Sequence, residues 1–210
     1  MPTTIPRIQK TRLGRFSLYG EEGFLFSLDS ETYFSCGVEE GDTLTDNDLA
    51  ALREKSDARK AKDKALQYLS LRLYGERELY DKLCLKFDGP TSAAAVAEMV
   101  RLELLDDARF AAQKAAWLKT RHKSRREAQR QLAEKGVDRN LIDEALDEVY
   151  GDGDEREEID RLIRRSYAAK LENGKRDAVY AALCRRGFAP RTVREALNDW
   201  ADAQQEGWDE

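Results

Sequence analysis

Two stretches of the sequence carry residues that could perform chemistry. In the first, LLDDARFA (104–111), the adjacent Asp106 and Asp107 could act as an acid–base pair or share a metal ion. The same stretch fits a helix start, with Asp106 as the N-cap and with Leu105 and Phe110 at the spacing of a hydrophobic staple. An aspartate in a first helical turn also favours the positive end of the helix dipole. We therefore interpret the pair as a helix cap rather than a catalytic or metal site.

The second stretch is the basic run KTRHKSRREAQR (119–130), in which five of the eight residues from Lys119 to Arg126 are Lys or Arg. Cations at the end of a helix are ordinary because they complement the negative end of its dipole. Arg125 and Arg126, however, fall in the first turn of the next predicted helix, where positive charge is mildly unfavourable. The fold does not need them there, so the run predicts a surface that binds phosphate or an acidic partner.

The remaining residues give no sign of catalysis. Cys36, Cys84 and Cys184 lie far apart without a C-x-x-C spacing, and His122 is the single histidine, so a structural zinc is not expected. The sequence contains no P-loop, G-x-G-x-x-G, G-x-S-x-G or H-E-x-x-H pattern. We therefore expect a protein that is not an enzyme and holds no cofactor or metal.

The chain is acidic on average, but its charge is unevenly distributed. Its 210 residues carry a formal net charge of −5. Residues 1–20 nevertheless contain four cations and no acid, whereas acidic residues collect at 152–160 and from Asp199 onward. Such patches permit a partner or nucleic acid to be bound through one face, and they argue against nonspecific coating of DNA. Without a run of 18 apolar residues or a signal-like segment, we expect a soluble cytoplasmic protein with no membrane contact.

One phrase of the sequence occurs twice. Residues 131–149 and 182–200 align without gaps and share five identities. A weaker copy lies 49 residues upstream of residues 131–149. A period of about 50 residues is typical of helical arrays. Gly136 and Gly187 occupy the same place in two copies, where a helix must end in a left-handed residue. The phrase therefore predicts a helix, a glycine stop and a second helix in each unit.

Helix start signals recur along the chain. Thr45 with Asp48 and Ser124 with Glu127 have the spacing of capping boxes, and Asp138 is a good N-cap. Apolar periodicity then predicts helices at 45–55, 59–73, 76–87, 91–104, 107–120, 125–135, 139–150, 155–171, 176–186 and 190–202.

The predicted fold is mainly α, with three tandem three-helix repeats in an elongated array after a small N-terminal β-hairpin. Alternation at 15–19 and 24–28 predicts the hairpin, which is too small to be stable without helical support. We predict an N-terminal segment of hairpin and short helices at 1–56, repeats at 57–105, 106–151 and 152–203, and an acidic, mobile tail at 204–210.

Four phrases stand out by their order and spacing: ALQYLSLRLYGERELYDKL (65–83), LLDDARFAAQKAAWLKTR (104–121), REAQRQLAEKGVDRNLIDEALDE (126–148) and LCRRGFAPRTVREAL (183–197). Together they resemble the RecX family, bacterial modulators of the RecA recombinase, over most of the chain. The resemblance is weakest at 29–58 and 150–175. This sequence departs from the family pattern at Gly75, where a serine N-cap is usual, at KFDG (86–89), which replaces a lysine–glycine stop, and at Ser124, where many members have glycine.

The resemblance implies a non-enzymatic protein of tandem three-helix repeats that lies in the groove of the RecA–DNA filament. A monomer is expected because no long apolar stripe is left over. There it would restrain ATP hydrolysis, strand exchange and filament growth, with DNA contacted directly or through the filament. Matched to the family motif, the expected binding residues are Lys119, Arg121, Lys123, Arg125, Arg126 and Arg130, with Arg185 and Arg186 as second choices.

Two other functions remain open from the sequence. The first is a helix–turn–helix repressor that binds DNA alone, although its candidate reading helices, LIDEALDEV and TVREALNDW, are rich in acid. The second is a helical adaptor whose partner is unrelated to DNA. The tryptophans do not alternate with basic residues as a base-stacking surface would, and Trp117 and Trp200 fit the apolar stripes of helices.

Overall fold

The computed structural model describes residues 2–151 and 155–206. Within them the chain is mainly helical with a few antiparallel strands near its N-terminal end, which confirms the predicted fold class. The chain divides into two compact units, residues 1–106 and 107–210. The strands and the first predicted repeat fall in the first unit, and the second and third predicted repeats fall in the second. The finer division of the chain into five parts stays a prediction.

The strands of the first unit form two small sheets. The strands are β1 (Thr3–Thr4), β2 (Arg7–Lys10), β3 (Phe16–Gly20), β4 (Gly23–Leu28) and β5 (Thr43–Leu44). The predicted hairpin is β3–β4, and β2 pairs antiparallel with the free side of β3, while β1 pairs with β5. Strand β2 was not predicted because Ile8 is its only apolar residue, so RIQK shows no apolar alternation.

The hairpin has the helical support that its size demands. Helix α1 (Ser30–Cys36) follows β4, and α2 (Asp46–Leu69) lies against β4. Leu18 and Leu28 of the sheet are fully buried in one cluster with Leu49 and Leu52 of α2. Burial of these apolar side chains fixes the sheet to the helices.

Helix α2 begins as predicted but ends elsewhere. Thr45 and Asp48 form the full capping box. The helix then continues to Leu69, so the predicted separation of helices 45–55 and 59–73 is wrong, and the proposed boundary at residue 56 falls inside α2. Ser56 lies between the two predicted helices, and it is buried with its hydroxyl donating to the Ser27 carbonyl at 3.3 Å. That bond satisfies a polar group inside a continuous helix.

Two further helices complete the first repeat, α3 (Glu76–Cys84) and α4 (Gly89–Arg101). Gly75 is the N-cap of α3 without a side-chain bond, and Asp88 caps α4 by accepting the Thr91 amide at 2.7 Å. Phe87 stands where the other repeats have glycine, and it does not adopt a positive φ. The stop of α3 therefore has a different geometry, as KFDG predicted.

The second unit contains the remaining helices. Gly136 (φ +78°) and Gly187 (φ +95°) are left-handed at the ends of their helices, which confirms the predicted glycine stops. The predicted helix 155–171 is interrupted by a π-helical turn, Ile163–Tyr167. The elements are α5 (Asp107–Thr120), α6 (Arg125–Glu134), α7 (Arg139–Tyr150), α8 (Glu155–Leu162), α9 (Ala168–Glu172), α10 (Arg176–Arg185) and α11 (Pro190–Glu206). Helix α11 reaches into the predicted tail, of which residues 207–210 lie outside the described residues.

The repeats share their core positions. The leucine of the repeated phrase is fully buried in every copy, as Leu83, Leu132 and Leu183. The position four residues earlier is also fully buried each time, although its side chain varies from leucine to alanine to valine. The repetition is therefore first a device of packing. None of the described helices has both the length and the apolar character that crossing a bilayer requires.

Candidate partner-binding surface

The basic run forms the turn between α5 and α6. His122 adopts a left-handed conformation (φ +52°), and the Lys123 amide donates to the Leu118 carbonyl at 3.0 Å. Ser124 then starts α6, and its Oγ accepts the Glu127 amide at 3.2 Å. This tight reversal places the last cations of α5 beside the first cations of α6.

The predicted capping box at Ser124 is half formed. The Ser124 amide donates to the Arg186 carbonyl at 2.9 Å instead of to the Glu127 carboxylate. Beyond it lies Gly187, where an added Cβ would stand 2.3 Å from the Glu127 Cβ and 2.6 Å from the Ser124 Oγ. Gly187 therefore serves two needs, a left-handed stop and a close approach to the start of α6. The sequence indicated the first need alone.

A cavity of about 560 Å³ opens beside this turn. Tyr150 and Phe188 line part of it. Arg161 of α8 also lines it and was not predicted, because it follows an acidic stretch. Of the eight predicted binding residues, the cavity brings together Lys119, Lys123, Arg125 and Arg126.

These four cations differ in how far they are engaged. The ammonium of Lys119 donates to the Val149 carbonyl, and that of Lys123 donates to the Arg185 carbonyl at 3.0 Å. Arg125 pairs with Asp147 at 2.5 Å, but both side chains are well exposed, so the pair is weak. Arg126 is exposed and makes no ion pair within residues 2–151 and 155–206. Arg126 is therefore the cation most available to a partner.

Of the other predicted residues, Arg130 lies outside the cavity. It pairs with Glu127 at 2.8 Å and with Glu134, all on α6. The bond from Arg130 holds the pKa of the Glu127 carboxyl at about 2, below its usual 4.5. Arg130 is thus committed to its own helix, and it is a poorer candidate for binding than the sequence indicated.

Arg121, Arg185 and Arg186 also lie outside the cavity lining. The guanidinium of Arg186 lies 5.9 Å from the Tyr167 ring centre, and its Nη1 is buried with no hydrogen-bond partner among the described residues. Arg185 is exposed beside Lys123. The backbone of this pair holds the α5–α6 turn in place, which is a structural role that the sequence did not indicate.

Trp117 corrects a prediction. It was assigned to a buried stripe of α5, but 48% of the residue is exposed. The Lys114 ammonium lies 4.4 Å and the Arg121 guanidinium 5.4 Å from its ring centre. A cation on each side of an exposed indole is a cation–π arrangement. The basic run therefore does have an aromatic neighbour, which helical periodicity along α5 could not reveal.

The opposite wall of the cavity is acidic. Glu155, Glu157 and Glu158 of α8 line it. Glu158 contacts His122 Nδ1 at 3.4 Å and Arg161 at 2.8 Å, and Glu155 accepts the Ala189 amide at 3.1 Å. Two of these acids are thus engaged within the fold, whereas Glu157 is exposed and lines the same cavity as the four cations.

Tyr150 joins the two walls. Its hydroxyl donates to the Lys123 carbonyl at 3.1 Å. Burial, with a smaller contribution from Glu158, raises the pKa of Tyr150 to about 12. The phenol therefore stays protonated at neutral pH and acts as a donor that holds the basic turn.

The described residues offer little for catalysis. Residues 2–151 and 155–206 hold no group of three or more His, Cys, Asp or Glu side chains that could bind a metal ion, and the cysteines are free thiols. Asp107 is the first residue of α5, and Leu105 and Phe110 are buried, as the cap interpretation requires. Asp106 and Asp107 therefore lie at a helix start, as the sequence predicted.

Two family models match the chain. One, described as RecX, first three-helix domain, matches residues 61–99, and the other, RecX, second three-helix domain, matches residues 106–146. A regulatory protein RecX of Caldanaerobacter subterraneus subsp. tengcongensis is 26% identical over 192 residues, which cover 91% of this chain and 96% of that protein. A regulatory protein RecX of Staphylococcus aureus is 26% identical over 206 residues, which cover 95% of this chain and 74% of the relative.

Solved structures have the same fold. A crystal structure of a regulatory protein RecX superposes with a TM-score of 0.60 at 22% identity, over 94% of this chain and 99% of the other. A RecX from Lactobacillus salivarius superposes with a TM-score of 0.52 at 22% identity, over 68% of this chain and 96% of the other. The likeness extends beyond the two matched domains to most of the chain.

Proposed function

We propose that this chain, which belongs to the RecX family, regulates the RecA recombinase by binding along RecA filaments on DNA. The assignment to this family rests on the two matching domain models and on relatives that align over most of the chain and are named regulatory protein RecX. Its members act on RecA, so the general role of a RecA regulator follows from the family. The mode of action and the residues involved are our proposal.

The single observation that supports a binding surface is the group of cations at the α5–α6 turn. Arg125 and Arg126 occupy the first turn of α6, where the helix dipole opposes them, and both line one cavity with Lys119 and Lys123. Arg126 has no carboxylate partner among the described residues. Arg125 and Arg126 are placed against the dipole, and Arg126 is also unpaired among the described residues, so this surface is suited to acidic RecA surface or to DNA phosphates in the filament.

Repetition supports a filament as the partner. Tandem helical units offer several separate contacts, and a helical polymer presents the same contact on successive protomers. Each further contact then forms at a high effective concentration, so weak individual contacts combine into strong binding. Bound in the groove, the protein would restrain ATP hydrolysis, strand exchange and filament growth. It acts as a cytoplasmic monomer, without catalysis or a cofactor.

A repressor that reads duplex DNA through a helix–turn–helix is less well supported. The exposed residues of α7 include Glu144, Asp147 and Glu148, whereas base readers in the major groove rely on Arg, Lys, Asn and Gln. An acidic helix would also repel the phosphates that flank the groove. This function remains an outcome of the experiment rather than a second proposal.

The decisive experiment is the DNA-dependent ATPase of RecA with increasing amounts of this protein. We expect inhibition below stoichiometric amounts by the wild type, and a loss of potency of at least about tenfold in Arg125→Glu with Arg126→Glu. The matched control is Arg139→Glu with Arg191→Glu. Arg139 and Arg191 also lie in the first turns of their helices, and their side chains are 88% and 91% exposed. The control substitutions therefore make the same reversal of charge at the same position relative to a helix dipole.

The control variant should inhibit as well as the wild type. Equal inhibition by all three proteins would contradict the assignment of the surface while leaving the regulator intact. Absence of any effect of the wild type on RecA, together with sequence-dependent binding to duplex DNA, would contradict the proposed function and favour the repressor.

A further inference from the structure

The N-terminal sheet carries positive charge that the fold does not neutralise. Arg7, Lys10, Arg12 and Arg15 make no ion pair with any of residues 2–151 and 155–206. In the same unit Arg59 pairs with Glu31 at 2.6 Å, and Arg72 pairs with Glu78 at 2.8 Å. The acid-free segment 1–20 therefore remains an unpaired basic segment after folding.

Aromatic rings stand beside this charge on the outer face of the three-stranded sheet. In the strand register, Arg7 of β2 lies opposite Tyr19 of β3, which lies opposite Phe24 of β4. The Arg7 guanidinium lies 3.8 Å from the Tyr19 ring centre, and the Tyr19 and Phe24 rings meet edge to face at 5.8 Å. The three side chains thus form one continuous row across three strands, about 10 Å wide at the usual strand spacing.

This row is not needed for the core. The apolar core of the sheet is built by Leu18, Phe26 and Leu28, and a register shift between Leu18 and Tyr19 brings Phe24 opposite Tyr19 instead of continuing the alternation of Phe26 and Leu28. Phe24 is 60% exposed, and Arg7 is exposed. An exposed phenyl ring beside unpaired cations, on a face that the core does not use, is typical of a binding surface.

We propose that the outer face of this sheet binds single-stranded DNA. Every base has an apolar face that can stack on an exposed ring, and the backbone phosphates are attracted by neighbouring cations. Phe24 supplies the free ring. Arg7, which already lies flat on Tyr19, supplies a guanidinium plane and a positive charge. Duplex DNA keeps its base faces inside the stack, so this combination favours unpaired strands.

Charge is unevenly distributed over this surface. Glu21 and Glu22 form the turn between β3 and β4 and place negative charge beside Phe24. Arg7 lies at the same end of the sheet as this turn, because it pairs with Tyr19, whereas Arg12 and Arg15 of the 11–15 turn lie at the opposite end, where Arg12 is exposed. Phosphates should therefore follow β2 and its turn, while a base reaches across to Phe24. The choice of DNA rests on the proposed function, because RecA filaments assemble on single-stranded DNA.

The test uses the full-length protein without RecA, so its outcome is separate from that of the ATPase experiment. Binding of a fluorescein-labelled oligothymidylate is followed by anisotropy at low salt. Phe24→Ala should weaken binding about tenfold, while Phe24→Trp, which keeps a stacking ring, should retain it. Leu85→Ala is the matched control because Leu85 is 77% exposed in the same unit and lies outside the sheet.

Charge is tested by the salt dependence of the same binding. Arg7→Ala should reduce the slope of log affinity against log salt by about 0.7, the value for one phosphate contact on a single strand. Arg139→Ala removes the same charge from α7, where the side chain is 88% exposed, and should leave the slope unchanged.

Several results would overturn the proposal. The first is that the wild type binds no oligothymidylate, and the second is that Phe24→Ala binds it as well as Leu85→Ala does. A loss in Arg125→Glu with Arg126→Glu and none in Phe24→Ala would place all DNA binding on the basic run. Binding that depends on Phe24 for oligouridylate alone would identify RNA as the ligand. An effect of Phe24→Ala on RecA binding without DNA, and none on the oligonucleotide, would identify a protein partner.

Discussion

The α2–α3 turn of the first repeat and the α5–α6 turn of the second repeat occupy the same place, 49 residues apart. The second helical position is arginine in both, as Arg77 and Arg126, but the first position carries opposite charge. The first turn of α3 begins with Glu76, whereas that of α6 begins with Arg125. Only the acidic version is favoured by the helix dipole. Because one fold accepts both, the basic version is not required by folding, and its charge is available for binding.

Each of the two turns has an arginine at the same position of the repeat, but the two arginines make different contacts. In the first repeat, Arg72 pairs with Glu78 at 2.8 Å and lies 3.6 Å from the Tyr74 ring centre. Its counterpart Arg121 makes no ion pair within the described part of the chain and lies over Trp117. The counterpart of Glu78 is Glu127, which is engaged instead by Arg130 on its own helix. That change of partner leaves Arg121 free for a ligand.

The largest expected effect concerns the attachment of the basic turn. Gly187→Ala should destabilise the protein by about 2–4 kcal/mol, because φ is +95° and the new Cβ would overlap Glu127 and Ser124. Gly174→Ala is the control: its φ is +70°, but nothing lies within 4 Å of the added Cβ, so it should cost only about 1 kcal/mol. Urea denaturation measures both. Equal losses would mean that the close approach at Gly187 contributes nothing.

The glycine also shows what the sequence could and could not predict. The period of about 50 residues, the buried leucines and the glycine stops follow from local rules of capping and burial, so most helices of the repeats were predicted, although α2 is continuous and a π-helical turn follows α8. That Gly187 touches the start of α6 depends on how the third repeat packs on the second. Contacts between residues 60 apart leave no trace in local periodicity.

The same difference between local signals and long-range contacts explains which residues of the candidate site were predicted. Lys123, Arg125 and Arg126 were predicted because their cluster contradicts the helix dipole, which is a local signal. Arg161 was missed because it reaches the cavity from another helix, and Trp117 was misassigned because its position on α5 looked apolar. Arg130 was overvalued, since the sequence could not show that its charge is taken up by Glu127.

The second prediction separates the two arginines. Arg72→Ala should destabilise the protein by about 1–2 kcal/mol, because it removes the ion partner of Glu78, whose side chain is only 11% exposed. Arg121→Ala should change stability by less than about 0.5 kcal/mol. For inhibition of the RecA ATPase the order reverses: Arg121→Ala should lose about threefold in potency, while Arg72→Ala retains it.

Arg77→Ala controls for simple loss of charge in the first repeat. Its side chain is 64% exposed and pairs with an exposed Asp81, so neither stability nor inhibition should change. If Arg72→Ala and Arg121→Ala gave the same pattern in both assays, the two turns would be functionally equivalent and the contrast between them would fail.

The smallest expected effect concerns Glu127, which pairs with Arg130 on its own helix. The bond from Arg130 lowers the pKa of Glu127 to about 2 in the folded protein, from a usual value of 4.5. A carboxylate with a depressed folded pKa contributes stability that is complete above its unfolded pKa and is lost as the pH falls from about 4.5 toward 2. For this 14% exposed side chain we expect about 1 kcal/mol. Glu127→Gln should therefore flatten the fall in stability over that acid range.

The control for this titration is Glu134→Gln, which removes the other carboxylate that pairs with Arg130 but leaves Glu127 in place. Its side chain is 57% exposed, so solvent screens the interaction and the acid dependence should stay close to that of the wild type. Urea midpoints between pH 5 and pH 2 distinguish the two variants. If Glu134→Gln flattened the profile as much as Glu127→Gln, the Arg130 pair would not be centred on Glu127. The release of Arg121 in the second repeat would then need another cause.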